Sequence, residues 1–358
     1  MSSLRIQALT KRYGTVAAAF EVAFEVRSGG TIALLGPAGC GKTTILRCIA
    51  GLETPDWGSI KIDGEPVFDR ANAIDIAPER RALGVVFQSH AIWPHMTVAA
   101  NVAFPLKVRG MPEAERLDRA ANMLEQVGLK GFEDRPATLL SVEQQHRIAL
   151  ARALVHEPKL VLFDEALANL DLRSRPRMRT ELRMLQERLG FTAIYVTHDP
   201  AEAFGLADDI ILLNHGAIEA MGPAREMFLR PRSAFAARFF GMNVLEGRLI
   251  GPAADNRYLE VELSARLVIR GVAAPEQELQ EGGRVLACIR KDAVRLIRAQ
   301  PQVEAPGVIV AASFLGADEE YLVDIAGIRI EAVAPASGLA KGDKVHVMMT
   351  PDQWVFVR

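Results

Sequence analysis

The segment Gly36-Pro37-Ala38-Gly39-Cys40-Gly41-Lys42-Thr43 limits this chain more than any other, because the apolar run Thr31–Leu35 precedes it and the helix-compatible stretch Lys42–Ala50 follows. Strand, glycine loop and helix in that order give the pattern G-x-x-x-x-G-K-[ST] the context it needs. Glycines let backbone N–H groups converge on phosphate oxygens. The helix N-terminus adds partial positive charge, Lys42 meets the outer phosphates, and the Thr43 hydroxyl suits Mg²⁺. Each feature serves a polyanion. Cys40, inside the loop, reads as a small filler residue more readily than as a reactive thiol.

A second apolar strand, Leu160-Val161-Leu162-Phe163, ends in the carboxylates Asp164 and Glu165. Asp164 can orient Mg²⁺ through its water shell, and Glu165 can take a proton from an attacking water. A third β-rich run, Ala193–Thr197, ends in His198, which can bond a phosphate oxygen or hold the glutamate; alone, it would equally suit a structural role. Gly84-Val85-Val86-Phe87 ends in Gln88, a neutral amide fit to ligate Mg²⁺ or to sense a nucleotide, and otherwise an ordinary loop residue.

The alternation of Phe20, Val22, Phe24 and Val26 predicts a half-buried strand. Between Val98 and His156 helical patterns dominate, as in Glu113–Val127 and Gln144–Val155, and predict a helical insertion. Strand signals return at Leu160–Phe163, Ala193–Thr197 and Ile210–Leu213 with helical stretches between them, the order of a mainly parallel sheet. After Gly241 the texture changes to short alternating segments, Arg284–Ile289, Val308–Ala312, Tyr321–Ile325 and Lys344–Met348, which predict a small barrel or sandwich. The domain boundary is expected near Gly241–Asn243, with domains over 1–240 and 241–358 and a helical subdomain over about 90–158.

A net charge of −2 gives no broad field for nucleic acid. Three scattered cysteines, without a C-x-x-C pair, fit a reducing compartment. The start of the chain lacks a signal-peptide pattern. The uncharged run between Arg27 and Lys42, rich in glycine, is shorter than the roughly twenty apolar residues that span a bilayer, and a membrane role is expected to come through a partner.

Together these stretches resemble the ATPase subunit of ABC transporters over nearly the whole chain. The resemblance rests on the phosphate loop, the glutamine Gln88, the Asp164-Glu165 strand end, Ala168-Asn169-Leu170-Asp171 and His198, in the family's order and spacing. Tyr13, which alone reads as an edge-strand aromatic, matches the residue on which adenine stacks. The C-terminal strands look like the OB-type domain on importers of sugars, polyamines and ferric iron.

The resemblance implies an α/β P-loop NTPase domain with a helical insertion, then an all-β OB-type barrel. ATP would be bound by Tyr13, Gly36, Pro37, Ala38, Gly39, Cys40, Gly41, Lys42, Thr43, Thr44 and Asp171, with Ser141 and Gln144 of the signature adding contacts across a dimer. Lys42, Gln88, Glu165 and His198 would be catalytic, and Thr43, Gln88 and Asp164 would hold Mg²⁺. The implied partners are permease subunits and a second ATPase subunit, expected as an identical copy, with an external solute-binding protein acting indirectly and no nucleic acid. The implied place is the cytoplasmic face of the inner membrane, and the segment Gln88–Thr97, with Trp93, Pro94 and His95, would meet permease loops. Two rival readings remain: a slow ATPase acting mainly as a regulatory binding subunit, and a soluble ABC ATPase without a transport role. A second phosphate loop or sustained heptads would favour the latter, and the sequence has neither.

Two departures stand out. Ala166 replaces the proline usual after the glutamate, with little effect expected on the chemistry. The family signature Leu-Ser-Gly-Gly-Gln appears as Leu140-Ser141-Val142-Glu143-Gln144, without either glycine. A side chain there obstructs close approach. A carboxylate within roughly 8 Å of the γ-phosphate costs about 2 kcal/mol per phosphate charge at an effective dielectric near 20. The helix N-terminus that begins here can offset part of this cost, and Glu143 can also turn toward solvent, so the expectation is a weaker ATP sandwich and slower hydrolysis than the family norm, not an inert protein. Val142→Gly together with Glu143→Gly should therefore raise steady-state ATP hydrolysis, and an unchanged rate would refute the assigned handicap.

Overall fold

The computed structural model describes residues 2–89, 91–254, 256–298 and 307–358, and the chain divides into two compact units, one ending at Ala224 and the other beginning at Arg225. In the first unit, β1 (Ser2–Tyr13), β2 (Val16–Arg27), β3 (Thr31–Leu35), β4 (Trp57–Ile62), β5 (Glu65–Asp69) and β6 (Ile74–Asp75) lead into β7 (Gly84–Val86). After the helical insertion come β8 (Leu160–Asp164), β9 (Thr192–Thr197), β10 (Asp209–Asn214) and β11 (Ala217–Pro223).

Six of these strands form a sheet in the order β11-β10-β3-β9-β8-β7, parallel except for β11. Every residue of β3 and of β9 is buried, as expected of parallel strands covered on both faces, which is why they read as continuous apolar runs. The register sets Leu34 opposite Val196 and Leu162 opposite Ile194, so the carboxyl ends of β3, β8 and β9 finish side by side. Ligands of open α/β sheets gather at such ends.

A second, antiparallel sheet runs β2-β1-β4-β5-β6. Val22, Phe24 and Val26 point inward as their alternation predicts, but Phe20 is 46% exposed while Ala19 is fully buried. Glu21 takes a left-handed backbone (φ 49°), and the β1–β2 register shifts between Leu9 and Lys11. This bulge switches the face presented by the residues before it.

Helix α1 (Lys42–Ala50) buries Ile45, Leu46 and Ile49, and ends at Gly51 in the left-handed conformation. The insertion contains α2 (Val98–Val108), α3 (Glu113–Gln126) and α4 (Val142–Leu154). Helix α4 begins two residues before the predicted Gln144, because Ser141 and Gln144 form a capping box that satisfies the first-turn amides. Helices α5 (Ser174–Leu189) and α6 (Pro200–Leu206) cross between the later parallel strands.

The division at Ala224 falls earlier than the change of texture at Gly241. Helix α7 (Ala224–Leu229) spans the division, and α8 (Ala234–Phe239) belongs to the second unit, where its Ala237 joins Met242, Cys288, Val355 and Val357 in one buried cluster. Apolar residues of α8 therefore tie it to the second unit, which strand texture could not register.

The second unit contains β12 (Asn243–Pro252), β13 (Leu259–Ser264), β14 (Leu267–Ala273), β15 (Arg284–Ile289), β16 (Arg295–Arg298), β17 (Gly307–Phe314), β18 (Asp318–Ile325), β19 (Ile328–Pro335), β20 (Lys344–Met348) and β21 (Val355–Val357). Strands β12-β13-β14-β21-β15 close into a barrel, the OB-type form expected, while β16-β20-β17-β18-β19 make a further sheet. Trp354, Phe356 and Tyr321 fill the shared core, at 1%, 0% and 0% exposure. Trp354→Ala should cost about 3–5 kcal/mol of stability through the cavity it leaves, measured by denaturant unfolding.

Candidate nucleotide site

The phosphate loop is held by close backbone approaches that exclude side chains. A Cβ at Gly36 would lie 2.4 Å from the Leu213 carbonyl oxygen, and one at Gly41 only 1.8 Å from that of Ala18. Gly41 also sits at φ 103°, a region that other residues avoid. Lys42 is 5% exposed, and its ammonium donates to the carbonyls of Gly36 and Pro37, both at 2.9 Å, with Cys40 Sγ 3.7 Å away. The loop thus positions its own cation. Cys40 is 3% exposed and packs as a filler beneath Gly36.

At the neighbouring strand ends, Thr43 Oγ1 donates to Asp164 Oδ1 at 3.3 Å. Burial pushes the Asp164 carboxyl above its ordinary value, more than Thr43, Arg47 and Lys42 pull it down. A hydroxyl and a carboxylate so placed are hard oxygen donors, the type Mg²⁺ prefers. Glu165 takes a left-handed backbone (φ 46°), pinned by its N–H donating to the Val196 carbonyl at 3.0 Å. That turn brings its Oε1 to 3.5 Å from His198 Nδ1. A partly shielded carboxylate beside an exposed imidazole can take a proton from water and be held while doing so.

Gln88 lies just beyond β7, and its carbonyl accepts from Asn169 Nδ2 at 2.7 Å. Asp171 accepts from the backbone N–H groups of Arg173 and Ser174 at 2.9 and 3.0 Å, which hold its carboxyl below the usual value, Ser174 most. Tyr13 ends β1 with half its surface exposed and the Lys11 ammonium 5.4 Å from its ring centre, and its hydroxyl interacts with Glu53 and with Thr44 of α1. A half-exposed aromatic ring beside the phosphate-loop helix can stack on a base. Ser141 and Gln144 sit at the start of α4 and bond each other: Ser141 Oγ accepts from Gln144 N at 3.3 Å, and Gln144 Oε1 accepts from Ser141 N at 3.0 Å. Pro37, Ala38 and Gly39 complete the turn, and Gly39 has φ 75° with nothing near its missing Cβ.

Residues 20–168 match the ABC transporter family model, and residues 287–357 match that of the TOBE domain. The Fe(3+) ions import ATP-binding protein of Haemophilus influenzae is 41% identical over 298 residues, covering 82% of this chain and 85% of that protein. The chain belongs to the ATP-binding subunits of ABC importers. It is an ATPase of the type coupled to transport. A second importer subunit, the spermidine/putrescine import ATP-binding protein of Chromobacterium violaceum, is 36% identical and covers 100% of this chain and 99% of its own length. Among solved structures, a dimeric ATP-binding cassette bound to ADP and Pi superposes with a TM-score of 0.54 at 30% identity, over 62% of this chain and 99% of that one.

Within this importer ATPase, one contributor escaped the motif reading. Arg175 in α5 donates through Nη2 to the carbonyls of Ala168 and Leu170, both at 3.2 Å, and lies 3.8 Å from both Asp199 and Glu202. Glu202 is 5% exposed, accepts from Thr197 Oγ1 at 2.6 Å, and is raised in pKa chiefly by burial. Arg175 thereby ties the Ala168–Asp171 segment to the residues flanking His198. The available signal was an arginine four residues past Asp171 and two acids soon after His198, a pairing that only the fold makes visible.

The raised Asp164 pKa carries a stability consequence. A carboxyl whose folded pKa lies above its unfolded value destabilises the fold once ionised, and that cost is relieved as pH falls through the folded pKa. Asp164→Asn should therefore raise the melting temperature at neutral pH while lowering ATP turnover. A lower melting temperature at pH 7 would contradict the assigned desolvation.

Proposed function

We propose that two copies of this subunit close head to tail around two ATP molecules at the cytoplasmic face of the inner membrane and drive solute import through permease subunits. The reading is carried by the convergence of Lys42, Thr43, Asp164, Glu165 and His198 at the carboxyl ends of β3, β8 and β9. The reaction is ATP plus water to ADP plus phosphate. The loop amides and Lys42 hold the phosphates, and Tyr13 supports the base. Thr43, Asp164 and Gln88 would hold Mg²⁺, which when bound supplies charge neutralisation to the phosphates. Glu165 accepts the proton of the attacking water, and His198 keeps that carboxylate in place.

Two further features support the transport half. No helix among the described residues is long and apolar enough to cross a membrane, which fits a permease supplied by other subunits. Beside Gln88 lies a groove of 430 Å³ lined by residues that include Phe87, Trp93, Phe104, Val108 and Arg152. The Trp93 and Phe104 rings meet at a tilt of 44° with centroids 4.4 Å apart, and the Arg152 guanidinium lies 4.5 Å over the Trp93 ring, a preformed wall that fits an amphipathic permease segment. Relatives named for ferric ions and for polyamines resemble the chain alike, which fits a solute chosen by the permease and an external binding protein.

The altered signature supports slower hydrolysis than the family norm. Val142 heads α4 and is 50% exposed, so a side chain stands at the surface where the family has a glycine. Glu165→Gln should lower the rate of ATP hydrolysis by about 10²–10⁴-fold while leaving nucleotide binding in place. Turnover at the parent rate would remove the assigned base.

A further inference from the structure

We propose that Arg147 is a positioning residue that keeps the Glu143 carboxylate away from the facing subunit's ATP, so that a signature lacking both glycines still closes on nucleotide. This rests on the closed ATP pair described above. Glu143 is the second residue of α4, where side chains lean toward the helix N-terminus. The helix dipole favours a carboxylate there, but an approaching triphosphate opposes it.

Arg147, one turn later, draws the carboxylate back along the helix, its Nη2 lying 3.0 Å from Glu143 Oε1. The same nitrogen pairs with Glu181 of α5, and Nη1 donates to the Val127 carbonyl, just past α3, at 2.8 Å. The Arg147 side chain is only 14% exposed and, apart from Glu143, is anchored by Glu181 and by the Val127 carbonyl. Exposed helix pairs usually gain little, because two long side chains must both be ordered. Here the arginine is already ordered, so only Glu143 loses freedom on pairing. Arg177, 2.9 Å from Glu181, supplies a second cation, and two carboxylates face two guanidinium groups. The handicap of this signature then lies mostly in the Val142 side chain.

The test is ATP-dependent dimerisation of the full chain carrying Glu165→Gln to block turnover, followed by analytical ultracentrifugation in Mg-ATP. Arg147→Gln should weaken the dimer by about tenfold, the size expected for a freed charge near phosphate. Adding Glu143→Gln to that chain should recover most of the loss, and its effect there should be at least about fivefold larger than beside Arg147. A double variant as weak as Arg147→Gln alone would mean a merely structural arginine and overturn the proposal. Should Arg147→Gln unfold, Glu143→Asp answers the same question: one methylene shorter, it falls short of Arg147 and should weaken the dimer about threefold or more. Equal or tighter dimerisation by that variant overturns the proposal. A parent chain that binds ATP without dimerising would fail the closed-pair reading itself, and this proposal with it.

Discussion

The site depends on how closely the phosphate loop is pressed against its neighbours. Gly36 and Gly41 touch the backbones of Leu213 and Ala18 at distances that leave no room for a single added carbon. Those contacts join the end of β3 to β10 on one side and to β2 on the other, so both sheets of the first unit fix the loop before any phosphate arrives. Preorganisation of this kind is what allows backbone amides to compete with water for an anion.

From that fixed loop a chain of contacts reaches the rest of the chemistry. Thr43 meets Asp164, Glu165 is pinned to β9 and faces His198, and Arg175 binds both the Ala168–Asp171 segment and the acids after His198. Asn169 then holds the Gln88 carbonyl. Hydrogen bonds and ion pairs, and not soft packing alone, thus link these segments to one another.

Much of this was readable from the chain because the motif residues sit at strand ends whose apolar runs declare themselves. Thr31–Leu35, Leu160–Phe163 and Ala193–Thr197 are buried on both faces, so neither burial nor direction was ambiguous. Phe20 was misread because a bulge at Glu21 interrupts the alternation, and a bulge leaves no mark in hydrophobicity. The second sheet of the C-terminal unit was also hidden, since short strands of one texture do not reveal which partners they choose. Arg175 and the Glu143–Arg147 pairing are long-side-chain contacts, set by where helices lie and not by motif spacing alone.

The left-handed turn at Glu165 has a consequence for folding. Such a backbone costs a non-glycine residue about 1–2 kcal/mol and persists only because the Val196 carbonyl holds it. A partly folded chain in which β9 has not yet docked would let Glu165 relax and turn its carboxylate elsewhere. With Glu165 in its proposed role, competence to split the nucleotide therefore waits on the docking of β9.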